Sequence, residues 1–284
     1  LDRLLQRAEG LLDRLEALLP PPAETLDWSE TLACQWRRAG ARGRLHPVRR
    51  IHRLSLDDLL HIDPQKERLY RNTERFVRGY PSNNALLWGS RGTGKSSLVK
   101  ALLNAFAAQD LRLIEVDKFD LLDLPEIVGQ IAALPQRFLL FCDDLSFDEG
   151  DPRYKTLKAV LDGSINTTPD NTLIYATSNR RHLLPEQLAD NLHSRSVQGE
   201  IHPGEAVEEK ISLSDRFGLW LSFYPFSQEQ YLDIVFYWLG QLDAEIKDLE
   251  AVRLQALRWA TARGGRSGRA AHQFARDWIG RATA

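Results

Sequence analysis

The octapeptide Gly89-Ser90-Arg91-Gly92-Thr93-Gly94-Lys95-Ser96 constrains this chain more than any other feature. It fits the pattern G-x-x-x-x-G-K-[ST], whose chemistry works only where a strand runs into a helix. An apolar run at 85–88 precedes it and a helix-like stretch at 95–107 follows, so that context is present. The glycines let backbone N–H groups curl around phosphate oxygens, and the start of the following helix adds its positive end. Lys95 is placed to reach the β- and γ-phosphates and Ser96 to ligate Mg²⁺.

The rest of the chain is organised around that loop. Leucines at roughly helical spacing predict an amphipathic helix over 2–19, ended by Pro20-Pro21-Pro22. A second helical stretch is expected at 27–38, followed by a Gly- and Arg-rich segment at 40–53. Pro64 suits the first position of a helix running to about 78. Strands are expected at 85–88, 111–116, 137–142, 172–177 and 219–223. Helices are expected at 95–107, 125–134, 152–161 and 185–192. Strict alternation of this kind predicts an α/β fold, a parallel sheet with helices on both faces. Three further helical stretches, 228–242, 243–263 and 268–281, close the chain, with Gly264-Gly265 as the clearest break. The expected domains are an N-terminal helical region with a basic segment (1–54), the αβα core (55–225) and a C-terminal helical domain (226–284).

Composition narrows the class. The chain has 284 residues, 37 basic and 39 acidic side chains and a formal net charge of -2, so it is not globally basic. Apolar content is 43%, which is ordinary globular usage and argues against wholesale disorder. No apolar run approaches the ~20 residues that span a bilayer, so no membrane partner is expected. The stretch at 11–19 carries charges and does not fit the apolar core of a signal peptide. Two cysteines, Cys34 and Cys142, supply neither a disulfide framework nor an all-cysteine zinc site, and a reducing cytoplasm is the default. Cys142, inside an apolar run, reads as a small buried residue rather than a reactive thiol.

Two further strand tips carry polar groups. Phe138-Leu139-Leu140-Phe141-Cys142-Asp143-Asp144 is an apolar strand ending in two carboxylates. Ligands of open α/β sheets bind beyond the carboxyl ends of strands. Asp143 is therefore the candidate to hold Mg²⁺ and Asp144 to polarise an attacking water. Thr172-Leu173-Ile174-Tyr175-Ala176-Thr177-Ser178-Asn179 ends similarly, with Asn179 placed to orient that water. Gly89, Arg91, Gly92, Thr93, Gly94, Lys95, Ser96 and Ser97 are the candidate nucleotide contacts.

Together these residues resemble an AAA+ ATPase of the P-loop NTPase superfamily: phosphate loop, Asp-Asp strand, Asn-tipped strand and then a helical lid. The resemblance runs over about 56–284. More narrowly, Asp57-Asp58-Leu59-Leu60-His61-Ile62-Asp63, Leu86-Leu87-Trp88-Gly89, Arg91 through Leu102, and Tyr175 through Leu183 resemble the bacterial domain of unknown function 815 family. The resemblance implies ATP and Mg²⁺ as cofactors and a homo-oligomer, as in hexameric rings. It makes Asn179 the sensor 1 residue. In Ser214-Asp215-Arg216-Phe217-Gly218 it makes Arg216 an arginine finger reaching a neighbour's ATP, with Arg195 as the rival candidate. In Ser267-Gly268-Arg269-Ala270-Ala271 it makes Arg269 the sensor 2 residue. Two positions depart from the pattern. Asp144 stands where many members have Glu, and His61 stands where Gly is common, in a segment that usually lies near the adenine. Stacking of His61 on the base and simple exposure both remain open.

What the ATPase would act on is less constrained. The segment 117–123 contains Phe119 but lacks the following Gly of an aromatic–hydrophobic–Gly pore loop, which weakens a protein-threading reading. Arg37, Arg38, Arg42, Arg44, Arg49, Arg50 and Arg53 occur with no acidic residue between Cys34 and Leu54, a pattern suited to nucleic-acid phosphates, to an acidic neighbour or to a solvated flank. Trp36 among them reads as a core residue. The polar stretch 200–210 reads as a loop or hairpin. Three functions stay open: an oligomeric ATPase remodelling a protein or nucleoprotein partner, an ATP-gated DNA loader or switch, and an ATP-binding module with negligible hydrolysis.

Overall fold

A computed structural model describes residues 26–39, 42–51, 53–148, 151–162, 169–181, 183, 195–197, 200–202 and 213–282. The expected helices at 2–19 and 185–192 lie outside the described residues.

Five parallel strands form the centre of the sheet: β3 (Ala85–Gly89), β4 (Leu111–Glu115), β5 (Arg137–Cys142), β6 (Thr172–Ser178) and β9 (Leu219–Phe223). A hairpin of β1 (Ala33–Ala39) and β2 (Arg42–Pro47) extends it, giving the order β2-β1-β4-β5-β6-β3-β9. A separate two-stranded antiparallel hairpin pairs β7 (Arg195–Val197) with β8 (Glu200–His202); of the stretch 200–210 expected as a loop or hairpin, it contains only 200–202, and 203–210 lie outside the described residues. The strands at 85–88, 111–116, 137–142, 172–177 and 219–223 are all found, to within a residue.

Period two explains how one sheet serves two layers. Leu87, Leu113, Leu139, Phe141 and Tyr175 point to one face, where α1 (Asp63–Val77) and α2 (Lys95–Phe106) cover them. Leu86, Ile114, Phe138, Leu140 and Ile174 point to the other, against α3 (Leu124–Ile131) and α4 (Pro152–Asp162). Strands apolar on both faces are what a parallel sheet between helical layers requires. The lid follows as α5 (Gln228–Gln241), α6 (Leu249–Ala262) and α7 (Gly268–Ala282). Its interior, including Tyr231, Val235, Val252, Ala256 and Phe274, is continuous with the core layer of α1 and α2. Ser227 caps α5 in a reciprocal box with Gln230, and Asp248 caps α6. The expected helix at 243–263 therefore starts only at Leu249, because Asp243 takes a left-handed conformation (φ +53°) just beyond α5.

One expectation is overturned. Residues 27–38 are not a helix: a turn around Trp28 leads into strand β1. Cys34 and Trp36 go into the core on one face while Gln35 and Arg37 go outward, the alternation of a strand. Parallel pairing of 33–35 with 113–115 adds β1 to the sheet beside β4. The basic segment is accordingly part of the sheet, as the antiparallel partner of β1.

Candidate nucleotide site

The strand order places β3 between β6 and β9, with β4 and β5 beyond β6. The chain reverses its direction of progress across the sheet at β3, and such reversal points open a crevice beyond the carboxyl ends of the strands. The loop 89–96 sits there, held from two sides. Gly89 has φ +126°, and a Cβ on it would lie 2.0 Å from the carbonyl oxygen of Phe223, so only glycine lets β9 pass this close. Ser90 N–H donates to that same carbonyl at 2.9 Å. Gly92 (φ +72°) meets the lid: a Cβ would come 2.9 Å from Ser267 Oγ, and Arg269 N–H donates to the Gly92 carbonyl at 3.3 Å. The first turn of α7 thus rests directly on the phosphate loop.

The side chains converge in two linked chains of hydrogen bonds. Lys95, buried, donates from Nζ to the carbonyls of Gly89 and Ser90 at 2.7 Å each and to Asn179 Oδ1 at 3.3 Å. Asn179 Nδ2 donates in turn to Asp144 Oδ1. Ser96 Oγ donates to Asp143 Oδ1 at 2.6 Å, and Thr177 Oγ1 donates to the same oxygen at 2.5 Å. Thr177 Oγ1 also accepts the Asp144 N–H at 2.9 Å, fixing a left-handed residue (φ +53°) at the strand tip. Burial pulls the Lys95 ammonium down to about 8, against the opposing pull of Asp143 and Asp144; Arg91 and Arg269 lower it further. A phosphate group is the natural compensation for a cation held so.

A cavity of about 660 Å³ opens over this network. Its polar lining comes from residues of the 91–97 loop, Asp143, Asp144, Asn179 and Arg269. Its apolar lining comes from Leu59, Ile62, Phe226, Ile234 and Trp238, with the Trp238 and His272 rings 4.6 Å apart and edge-on. Polar and apolar lining together suit a phosphate chain joined to a planar base. The Ser96 hydroxyl and Asp143 carboxylate offer adjacent hard oxygens of the kind Mg²⁺ takes when phosphates and waters complete its shell. No cluster of three or more His, Cys, Asp or Glu among the described residues is placed to hold a metal by itself.

Of the candidate site residues, Gly89, at the start of the loop, His61 and Arg216 lie outside the cavity lining. His61, with φ +59°, sets Nε2 3.1 Å from Asp233 Oδ2 of α5, joining the core to the lid. Tyr237 makes a neighbouring link, donating to Asp58 Oδ1 at 2.5 Å. Arg216 pairs with Asp162 at the end of α4. The side chain of Arg195 is outside the described residues. Phe119 is 66% exposed on a 3-10 turn, Lys118–Asp123, with the Arg153 guanidinium 5.1 Å from its ring. Cys34 and Cys142 are buried, and burial pushes both thiols up to about 12. Sequence reading missed Thr177 and the lid residues Trp238 and His272. A hydroxyl two positions before Asn179 was a usable signal for the first, and His272, one helical turn after Arg269, for the last.

The family described as Protein of unknown function (DUF815) matches residues 29–282. No curated protein matches the chain. Among solved structures, a variant of RuvB from Thermotoga maritima is similar, with TM-score 0.56 and 18% identity over 81% of this chain. The match spans 66% of the RuvB chain, just under two thirds of its length. ORC1 from Aeropyrum pernix, in complex with DNA, is similar at TM-score 0.53 and 18% identity, over 75% of this chain and 57% of that one. The AAA domain of FIGL-1 in complex with ADP gives TM-score 0.50 and 18% identity, over 79% of this chain and 72% of that one. At such identity the likeness establishes the fold, that of AAA+ P-loop proteins with a helical carboxyl-terminal region.

Proposed function

The chain belongs to the DUF815 family, and from that premise and the cleft we propose that it binds ATP with Mg²⁺ and couples hydrolysis to lid movement within a homo-oligomer, remodelling a protein or nucleoprotein partner. The observation that carries the reading is the convergence of Lys95, Ser96, Asp143, Asp144 and Asn179 beneath a lid that touches the same loop through Arg269. The loop amides and Lys95 would hold the phosphates, with Arg91, Thr93 and Ser97 beside them. Ser96 and Asp143 would hold Mg²⁺, which supplies charge neutralisation on the phosphate oxygens. Asp144 would accept a hydrogen bond from the attacking water, with Asn179 fixing both Asp144 and Lys95. Arg269, on the lid, would sense the terminal phosphate, so that lid position follows the state of the nucleotide. Arg216, outside its own cleft, would act on a neighbour's. His61 would act through the lid, by its contact with Asp233, rather than on the base. The titles of the similar structures support a nucleoprotein partner in kind: RuvB is described as a Holliday junction branch migration motor, and ORC1 was solved with DNA.

A second reading, an ATP-gated switch with slow turnover, is favoured by one feature. Asp144 is a shorter acid than the Glu usual there, and its carboxylate is already engaged by Asn179. Both readings meet in one experiment, the rate of ATP hydrolysis measured across protein concentration with oligomer size recorded in parallel. Specific activity that climbs with assembly supports the motor. ATP binding with flat, negligible turnover in the assembled protein selects the switch. Absence of ATP binding rejects both.

A further inference from the structure

The β1–β2 hairpin carries a charge arrangement the nucleotide site does not use. Seven Arg and no acidic residue lie between Cys34 and Leu54, in a chain whose net charge is -2. The fold sorts these arginines. Trp36 enters the core and donates from Nε1 to Asp123 Oδ2 at 2.9 Å, and Arg38 on that same face approaches Asp123 at 3.4 Å. The opposite face aligns Gln35 with His46 and Arg37 with Arg44 as directly opposed cross-strand pairs. Arg37, His46 and Arg49 line a single shallow cavity on this face. Among the described residues, Arg37, Arg49, Arg50 and Arg53 form no ion pair with a carboxylate.

We propose that this face of the β1–β2 hairpin, carried by Arg37 with His46 and Arg49, binds the phosphate backbone of a nucleic-acid strand. Guanidinium groups suit phosphate oxygens through their paired donors. A protein strand adding to the β2 edge is the rival occupant, and charged side chains along an edge oppose that pairing. The contact reads no base and predicts sequence-independent, salt-sensitive binding.

The test uses the full chain and a fluorescein-labelled mixed-sequence oligonucleotide, single-stranded and as duplex, followed by fluorescence anisotropy over a series of salt concentrations. Two double variants are compared, Arg37→Gln with Arg49→Gln, and Arg49→Gln with Arg50→Gln. The second pair lies beyond β2 and keeps the inference testable if the first disturbs the hairpin. The expected result is binding that weakens steeply with salt. The log–log salt slope should fall by roughly 1.4–1.8 in the first variant, the loss of two phosphate contacts, and by roughly 0.7–0.9 in the second, which removes Arg49 from the face, with fluorescent-ATP affinity and thermal melting unchanged. Separate readout of ATP affinity keeps failure here distinct from failure of the ATPase reading. No oligonucleotide binding at low salt, or equal affinity and slope in well-folded variants, overturns the inference. So does loss of self-association in the variants without loss of oligonucleotide binding, which would assign the face to a second copy of the chain.

Discussion

The cleft and the hairpin edge are both rich in charge, and they treat it in opposite ways. In the cleft the two carboxylates and the buried lysine are answered inside the chain: Asp143 by Ser96 and Thr177, Asp144 by Asn179, Lys95 by two carbonyls and Asn179. At the edge, Arg37 lies opposite Arg44 and the flanking arginines look outward. Internal pairing preorganises a site, so that a ligand exchanges partners without the protein having to rebuild. Exposed arginines such as Arg37 and Arg49, which pair with no carboxylate among the described residues, instead leave their compensation to the surroundings. On the proposed readings, the difference separates a cleft built for chemistry from a surface built to hold a charged partner.

The hardest test of that comparison is whether the cleft is complete within one chain. Arg216→Ala should leave ATP affinity and assembly intact while turnover of the assembled protein falls ~10³-fold or more, the scale of an arginine finger supplied in trans. Undiminished turnover in the assembled variant would make the cleft self-sufficient and remove Arg216 from it. Lys95→Ala removes the central cation of the internal network and should weaken ATP binding by about 3 kcal/mol, roughly 100-fold. Titration calorimetry reads it, and an unchanged affinity would dissolve the assigned loop.

On the hairpin side the expected effect is on stability. Asp123→Ala strips the buried Trp36 Nε1–H of its acceptor and should cost about 2 kcal/mol, visible as an earlier urea transition with ATP affinity preserved. An unaltered transition would mean that β1 is held by its pairing with β4 alone. The smallest effect concerns the cysteines. With both thiols pushed up to about 12 from an ordinary value of 9.0, the native protein should not react with a thiol reagent at pH 8, whereas the unfolded protein should react fully. These groups keep their protons longer when folded, so their contribution is complete below pH 9 and is lost as pH rises toward 12. Rapid native labelling would show that the β1 or β5 core opens readily.

The central strands were legible because burial on both faces leaves uninterrupted apolar runs, as in Phe138 to Cys142. The loop at 89–96 was legible because phosphate chemistry demands glycine, lysine and serine at fixed spacing. The strand β1 was not, since Cys34 and Trp36 give only two inward positions and its ladder partner, Leu113 to Glu115, lies far along the chain. The same distance hid Thr177, which acts by reaching across from β6 to the tip of β5.

Local order in the sequence by itself determined the phosphate loop, the alternating core and the capped lid helices, because glycine conformation, apolar period and capping are settled within a few residues. Only the tertiary structure decided that Asn179 would bridge Lys95 and Asp144, that α7 would rest on Gly92, and that the arginine-rich segment would be a sheet edge with Arg37 facing Arg44. Each of those depends on strand order and register, which arise from pairing between distant segments rather than from any one of them.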